Sequence, residues 1–182
     1  MPAHQLNALA GPDAAAFRAA MGLFPTGVAI ITSGAGDQLE AVTANSLTSV
    51  SLDPVLLLVC IRSDGRIRAT IERAGAFTVS VLSEEQEALS TCFATRTRPS
   101  GAAALECRLG GQGWLTGSSL FTDSLVSLEC VLQTQHIGGD HTLFLGRVTA
   151  IHLAGPERKP LVTHRGTAVS IVPPARSEEY LG

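Results

Sequence analysis

The segment VTANSLTSVSLDP, residues 42–54, carries side chains suited to holding a small polar molecule. It contains two Thr, three Ser and one Asn, and no charged side chain before Asp53. In an extended chain alternate side chains face opposite ways, so one face would be mostly polar and the other mostly small and apolar. Short uncharged donors and acceptors suit a flat heterocycle with a hydrogen-bonding rim. The alternative is a solvated Ser/Thr face that ends in an ordinary Asp-Pro turn.

A second segment, CIRSDGRIR at residues 60–68, concentrates positive charge in an otherwise acidic chain. Ser63 is predicted to cap a helix, and Arg62, Arg66 and Arg68 flank it. Exposed backbone N–H groups, a hydroxyl and guanidinium groups together form a good anion site. The alternative is three solvated arginines on a surface helix. A polar surface that binds a flat ring, next to a phosphate site, would be typical of a binding site for a phosphorylated heterocyclic cofactor.

A third segment, GGDHTLFLG at residues 138–146, places His141 directly after a tight turn. At the start of the following strand its ring can reach into a cleft. Imidazole can donate a hydrogen bond or carry charge near neutral pH, which makes His141 a candidate for chemistry. A purely structural role at the turn is the alternative.

The composition predicts one folded domain: of 182 residues, 45% are hydrophobic and 16% are charged. The formal net charge of −3 argues against nucleic acid as a partner, because duplex binding depends on clustered Lys and Arg. The longest apolar run, residues 55–61, is too short to cross a bilayer, and residues 1–17 lack the features of a secretory signal. We therefore expect a cytoplasmic protein that binds neither nucleic acid nor membrane. The chain is aliphatic and poor in aromatic residues, with more apolar surface than a single domain of this size can bury, and this favours a homodimer.

The four cysteines, Cys60, Cys92, Cys107 and Cys130, are scattered without a CxxC pair or a nearby His. This spacing predicts buried reduced thiols, and no metal site. Neither GxGxxG nor GxxxxGK occurs, so nucleotide binding by a Rossmann or P-loop motif is not expected.

Hydrophobic periodicity predicts the elements that would position these residues. A short amphipathic helix begins after Asp13, which is a good N-cap. Residues 27–33 and 39–46 are predicted to form a hairpin. Residues 55–61 read as a strand buried on both faces.

The middle of the chain alternates helix and strand. A helix is predicted over residues 63–74 and a strand over residues 77–83. A capping box at residues 83–86 opens another helix, with Leu89 and Phe93 on its inner face.

The remainder of the chain is predicted to be strand and loop. Residues 95–113 read as a long loop, and residues 124–155 as a long hairpin. Residues 160–172 supply two short edge elements, and residues 173–182 a C-terminal tail. Many antiparallel strands with a few short helices predict a mainly β fold, in the form of a β-barrel with helical lids.

Five segments together resemble the flavin reductase-like family, the small reductase components of two-component monooxygenases. They are PTGVAIITS, VTANSLTSVSLDPVLLLVCIRS, SVLSEEQEALSTCFA, GDHTLFLGRV and PLVTHRG. The resemblance covers residues 16–171 and implies a split β-barrel of the FMN-binding, Greek-key type, in one domain with its core at residues 16–172. It also implies a homodimer, FMN or FAD as the flavin, NADH or NADPH as co-substrate, and a separate monooxygenase that receives diffusible reduced flavin.

The resemblance also implies roles for site residues. Those along the flavin ring are Thr43, Ala44, Asn45 and Ser46, continued toward the ribityl chain by Ser49, Val50 and Ser51. The residues at the phosphate end would be Cys60, Ile61, Arg62 and Ser63, with Arg66 or Arg68. Phe93 would pack against the far part of the flavin. Those on the nicotinamide side are the catalytic His141, Asp140, which orients its turn, and His164, Arg165 and Gly166. Hydride transfer requires stacking and orientation, so no nucleophile or general base is expected.

The sequence departs from the family pattern on the nicotinamide side. Ser80 replaces a common Asn, and residues 100–113 lack a Lys-Phe-x-Gly pattern. His164 replaces an aromatic residue, and residues 167–169 lack a Tyr-Arg pair. Two alternatives therefore stay open. One is a flavin-dependent enzyme with its own organic substrate, and the other is a non-catalytic flavin- or haem-binding protein.

Overall fold

A computed structural model of the chain describes residues 11, 13–107, 109–113, 115–121, 123–154 and 158–172. The predicted tail at residues 173–182 lies outside the described residues. The α-helices of the described part are α1 Ala14–Met21, α2 Arg66–Ala74, α3 Glu87–Ala94 and α4 Gly101–Leu105. Its strands are β1 Thr26–Gly27, β2 Ala29–Ser33, β3 Glu40–Ala44, β4 Leu47–Leu52, β5 Val55–Arg62, β6 Ala76–Val81, β7 Leu109–Gln112, β8 Ser119–Phe121, β9 Val126–Gly138, β10 His141–Leu153, β11 Val162–His164 and β12 Thr167–Val169. The prediction of a mainly β fold with a few short helices is confirmed.

The main sheet has seven strands in the order β3-β2-β6-β9-β10-β5-β4, with every neighbouring pair antiparallel. Its two edge strands, β3 and β4, are consecutive in the chain and are joined only by Asn45 and Ser46. Two residues cannot cross a flat seven-stranded sheet, because an extended chain spans about 3.3–3.6 Å per residue. The sheet therefore curves, so that the end of β3 and the start of β4 lie close together at this link.

Two hydrophobic clusters pack against the curved sheet. One contains Ile31 of β2, Phe144 of β10 and Ile67 of α2, and the other contains Ile30 of β2 and Phe93 of α3. Because adjacent side chains of a strand point to opposite faces, β2 contributes to both clusters and is buried throughout.

The start of α2 differs from the sequence prediction. The helix begins at Arg66, with Gly65 as the N-cap, so the prediction that Ser63 caps it was wrong. The Ser63 backbone N–H instead donates to the Asp140 carbonyl oxygen at 2.9 Å, and the Ser63 hydroxyl contacts the Thr142 hydroxyl at 3.1 Å. These contacts hold Ser63 against the β9–β10 turn and away from the helix end.

Other helix ends follow the predicted signals. Asp13 accepts a hydrogen bond from the Ala16 backbone N–H at 2.7 Å and begins α1. Gly75 ends α2 in the left-handed conformation, with φ of 64°. The capping box of Ser83 and Gln86 is present, but it opens a single 3-10 turn that precedes α3.

Two further predictions were wrong. The strand β5 is buried on one face only: Leu57, Val59 and Ile61 are buried, whereas the residues between them are half-buried. The second face of β5 borders open clefts, which the apolar run could not reveal. The predicted loop at residues 95–113 contains α4 and β7, since Ala104 of α4 packs in the second cluster.

Candidate functional site

Two clefts adjoin each other where β3 passes into β4. The larger, of about 1340 Å³, lies between α1, residues 22–28, the start of β4 and the β11–β12 turn. The smaller, of about 410 Å³, lies between β3, the end of β5, the start of α2 and residues 94–98. Asn45, Ser46 and Cys60 line both clefts. A single elongated ligand can therefore occupy the two clefts by crossing this shared wall.

The shared wall is built by hydrogen bonds between the β3–β4 link and β5. The Ser46 hydroxyl donates to the Cys60 carbonyl oxygen at 2.8 Å, and the Cys60 backbone N–H donates to the Ser46 carbonyl oxygen at 3.2 Å. Thr43 is fixed separately, because its hydroxyl donates to the Ser90 carbonyl oxygen of α3 at 2.6 Å. Asn45 lies between these anchored residues and is exposed at the boundary of the clefts.

The polar row does not lie on one face, as simple alternation predicted. The chain leaves β3 at Asn45 and joins the opposite edge of the sheet at Leu47, which packs against the first cluster. A register shift between Ser49 and Ser51 interrupts the alternation again. Only the first half of the row therefore borders a cleft.

The smaller cleft is basic. Arg62, Arg66, Arg96 and Arg98 line it together with the single acid Asp64. Arg62 and Arg96 both pair with Asp64, at 2.9 Å and 3.4 Å. Guanidinium groups outnumber carboxylates along the lining, so this cleft suits an anion such as a phosphate group.

Arg98 contributes a cation held in place by backbone carbonyl groups. Its Nε donates to the Ala41 carbonyl oxygen at 2.7 Å and its Nη1 to the Thr95 carbonyl oxygen at 3.3 Å. Arg66 Nη2 in turn donates to the Arg98 carbonyl oxygen at 2.9 Å. Burial, together with the neighbouring Arg66, lowers the pKa of Arg98 from its ordinary value. An anion in the cleft would relieve this repulsion between the two guanidinium groups.

Arg96 and Arg98 are site residues that the sequence analysis missed. The only signal in the sequence was a loop rich in Arg, and nothing local linked that loop to β3 or α2. The pairing of Arg96 with Asp64 and of Arg98 with Ala41 depends on contacts across the fold.

His141 borders the smaller cleft at the start of β10, opposite Arg62 of β5. Its Nδ1 lies 2.8 Å from Asp140 Oδ1. This hydrogen bond from the imidazole is the main reason that the pKa of the Asp140 carboxyl lies below its usual value. The sequence analysis placed His141 on the nicotinamide side, and in the structure its surroundings are the basic cleft.

The larger cleft is lined mainly by small and apolar side chains, with Arg18 and Arg165 at its border. Arg165 and Gly166, both at positive φ of 52° and 78°, form the two-residue turn between β11 and β12. The Arg165 backbone N–H donates to the Gly22 carbonyl oxygen at 2.8 Å, which fixes the turn against the end of α1. This cleft has the size and character to take a flat ring system.

Several predicted site residues line neither of these two clefts. They are Ser49, Val50, Ser51, Ser63, Arg68, Phe93, Asp140 and His164. Phe93 is fully buried and packs edge-to-face on Phe121, with ring centroids 5.5 Å apart, so it serves the core. Arg68 pairs with Glu72 at 2.8 Å along α2. Neither the register shift in β4 nor the helix faces on which Arg68 and Phe93 lie could be placed from the sequence alone.

The described residues contain no cluster of three or more His, Cys, Asp or Glu side chains that could hold a metal ion. Within the same ranges, no helix has the length and apolar character needed to cross a membrane. A ring-sized cleft, a basic cleft and an uncharged polar wall between them do fit a phosphorylated flavin.

Comparison with known proteins supports this assignment. The sequence profile of the family described as "Flavin reductase like domain" matches residues 21–171. The chain is 50% identical over 163 residues to the NADH-dependent FMN reductase AsuE2 of Streptomyces nodosus subsp. asukaensis, covering 90% of this chain and 88% of the relative. It is 35% identical to HsaB of Rhodococcus jostii, the reductase subunit of a flavin-dependent monooxygenase, covering 88% of this chain and 80% of the relative.

A solved structure shows the same arrangement of elements. The NADH:FAD oxidoreductase SgcE6 of Streptomyces globisporus, in complex with NAD and FAD fragments, superposes with a TM-score of 0.85 at 31% identity. The match covers 94% of this chain and 100% of that structure.

Proposed function

The chain belongs to the flavin reductase-like domain family, and we propose that it is an NAD(P)H:flavin oxidoreductase that reduces FMN or FAD and supplies the reduced flavin to a separate monooxygenase. The observation that carries the proposal is the meeting of the ring-sized cleft and the basic cleft at Asn45, Ser46 and Cys60. This geometry matches a ligand with a flat heterocycle at one end and a phosphate at the other.

We assign the flavin ring to the larger cleft and the phosphate to the smaller one. Asn45 and Ser46 would line the ring, with Thr43 and Ala44 continuing toward the phosphate. Arg62, Arg66, Arg96 and Arg98 would hold the phosphate group, through charge and guanidinium hydrogen bonds. Ser49, Val50 and Ser51 take no part in this arrangement.

The bound flavin would supply the capacity to accept a hydride from the nicotinamide. The chain itself binds and orients the two ring systems. Leu23, Phe24 and Leu58 give the larger cleft apolar walls on which the flavin ring would pack, and Arg165 supplies positive charge at its border. His141 borders the smaller cleft, and we propose that the nicotinamide approaches the flavin from this side, where Asp140 fixes the orientation of the His141 ring.

We also propose that the curved sheet is a split β-barrel and that the protein is a homodimer. The barrel is supported by the two-residue link between opposite edge strands. The homodimer is supported by exposed apolar side chains on and beside the edge strand β4, including Val50, Leu52 and Val55. Because NAD(P)H and free flavins are cytoplasmic metabolites, we propose a cytoplasmic location.

The test is steady-state oxidation of NADH and NADPH, followed by absorbance, with and without added FMN or FAD. We expect nicotinamide oxidation that depends on added flavin and saturates with it. Oxidation in the presence of a purified flavin-dependent monooxygenase and its substrate should yield hydroxylated product without contact between the two proteins, for example across a dialysis membrane. Absence of flavin-dependent turnover with either nicotinamide would refute the proposal.

A further inference from the structure

Two of the four cysteines lie next to each other at one side of the second hydrophobic cluster. Cys92 is in α3, and Cys107 follows α4. Both side chains are partly exposed and pack against this cluster, beside the buried Phe93 and Ala104. The Cys107 thiol is near enough to the Cys92 thiol for the two to interact electrostatically, and it donates to the Ala103 carbonyl oxygen at 3.6 Å.

The other two thiols differ in their surroundings. Cys130 is fully buried in the first cluster, and burial raises its pKa to about 12. Cys60 lies in β5 at the wall between the two clefts. The structure therefore brings only Cys92 and Cys107 together among the four cysteines, all of which lie in the described part of the chain.

The segment between the two thiols contains part of the site. Residues 94–98 line the smaller cleft and include Arg96 and Arg98. Arg96 is highly exposed, at 85% of its side-chain surface, and its contact with the rest of the site is an ion pair with Asp64 at 3.4 Å. A covalent link between α3 and the end of α4 would close this segment into a short loop.

We propose that Cys92 and Cys107 form a reversible disulfide that constrains the arginine segment of the smaller cleft. The oxidant is hydrogen peroxide, and for its source the proposal rests on the proposed function, because free reduced flavin reacts with dioxygen to give oxidised flavin and hydrogen peroxide. One cysteine attacks the peroxide as a thiolate and becomes a sulfenic acid, with loss of one water. The other thiol displaces the second water and forms the S–S bond. Two thiols lose two electrons and two protons, and the peroxide becomes two waters.

Cys107 is the better candidate for the second, resolving thiol. Its pKa is raised, first by burial and then by the neighbouring Cys92, so little of it is thiolate at neutral pH. Cys92 would then attack the peroxide. Both side chains already pack against the same cluster, and they must turn toward each other to reach an S–S bond length of about 2.05 Å.

The experiment treats the reduced, flavin-free protein with hydrogen peroxide and then digests it with trypsin after thiol blocking. We expect a peptide that links Cys92 to Cys107, a mass loss of about 2 Da and restoration by dithiothreitol. The linked peptide should be absent from C92S and C107S and present in C60S, the matched control. Since a loop of about 15 residues is closed, the oxidised protein should melt about 5 °C or more above the reduced form. Its FMN dissociation constant should fall by about threefold, because the arginine segment has less freedom to lose.

Peroxide that oxidises the thiols without producing the linked peptide would overturn the proposal, as would equal FMN affinity of the oxidised and reduced proteins. A second arm replaces added peroxide by aerobic turnover with NADH and FMN, with and without catalase. A linked peptide with added peroxide but none during turnover would refute the flavin-derived oxidant while leaving the disulfide site established. The two failures are thus distinguishable.

Discussion

Ser46 and Cys60 hydrogen-bond to each other twice, through the Ser46 hydroxyl at 2.8 Å and the Cys60 backbone N–H at 3.2 Å. The pair ties the link between the edge strands β3 and β4 to β5. The hydroxyl that the sequence offered as a ligand group is therefore occupied in holding the backbone. Its contribution to ligand binding is indirect, because it fixes the positions of Asn45 and of the start of β4.

Replacing Ser46 by Ala removes the hydroxyl half of this pair. We expect the free energy of unfolding to fall by about 1 kcal/mol, the usual contribution of one hydrogen bond. Flavin affinity should fall as well, since the wall between the clefts is no longer fixed. Urea unfolding and a fluorescence titration with FMN measure the two effects. S49A is the matched control, because Ser49 is exposed and lines neither cleft; equal behaviour of the two variants would contradict the role of Ser46.

Replacing Arg96 by Gln tests the phosphate end of the site. Its ion pair with Asp64 is exposed, so the melting temperature should hardly change. The FMN dissociation constant should rise by roughly tenfold, as expected for loss of a charge-assisted contact of about 1.4 kcal/mol. Riboflavin, which lacks the phosphate, should bind R96Q and the unmodified protein equally.

Arg73→Gln on the exposed side of α2 supplies the control for a change in net charge alone. If R73Q weakens FMN binding as much as R96Q does, the loss of affinity comes from the change in net charge alone, and the smaller cleft does not hold the phosphate.

The sequence predicted the parts of this protein that depend on local patterns. The hairpin of β9 and β10, the left-handed Gly75 and the capping box at Ser83 all follow from neighbouring residue types. The segment from Thr43 to Ser46 borders the clefts, and its contact with a flavin stays a prediction. Each of these signals is contained within a few residues of the element that it describes.

The predictions that were wrong depended on long-range contacts. Ser63 was expected to cap α2, but its partners are in the β9–β10 hairpin, about 80 residues further along the chain. Parity along residues 42–52 was broken because the chain changes from one sheet edge to the other. Arg98 was missed since its partner is the carbonyl oxygen of Ala41 on a strand 57 residues away.

Glu129 of β9 gives a prediction on stability and pH. Its side chain has no exposed surface, and its Oε2 accepts hydrogen bonds from the backbone N–H groups of Leu115 and Thr116 at 3.0 and 2.8 Å. Its Oε1 lies 2.8 Å from His152 Nε2. Burial acts to raise the pKa of Glu129, but the hydrogen bonds from His152, Thr116 and Leu115 outweigh it, so the pKa lies below its usual value.

The pKa of Glu129 is lower in the folded protein than in the unfolded chain. Its ionised carboxylate therefore stabilises the fold at pH values above the unfolded-state pKa, and this stabilisation is lost as the pH falls through the folded-state pKa. Glu129→Gln should therefore destabilise the protein by about 2 kcal/mol or more at pH 7. The difference from the unmodified protein should shrink below a pH of about 4. Urea unfolding over this pH range measures it, with the exposed Glu87→Gln as control. A difference that stays constant with pH would show that the charge of Glu129 contributes nothing.

His141→Ala separates binding from hydride transfer. His141 borders the cleft, and its hydrogen bond to Asp140 fixes the ring, so its loss should slow flavin reduction by about tenfold to a hundredfold. Flavin affinity should change by less than about twofold, since the four arginines remain. Stopped-flow reduction by NADH and an FMN titration give the two values.

D140N should reproduce part of the kinetic defect, because the His141 ring loses its charged partner. H136A, on an exposed part of β9, should behave as the unmodified protein. A large loss of FMN binding with an unchanged reduction rate would instead make His141 a phosphate ligand beside Arg62, the residue it faces across β5 and β10.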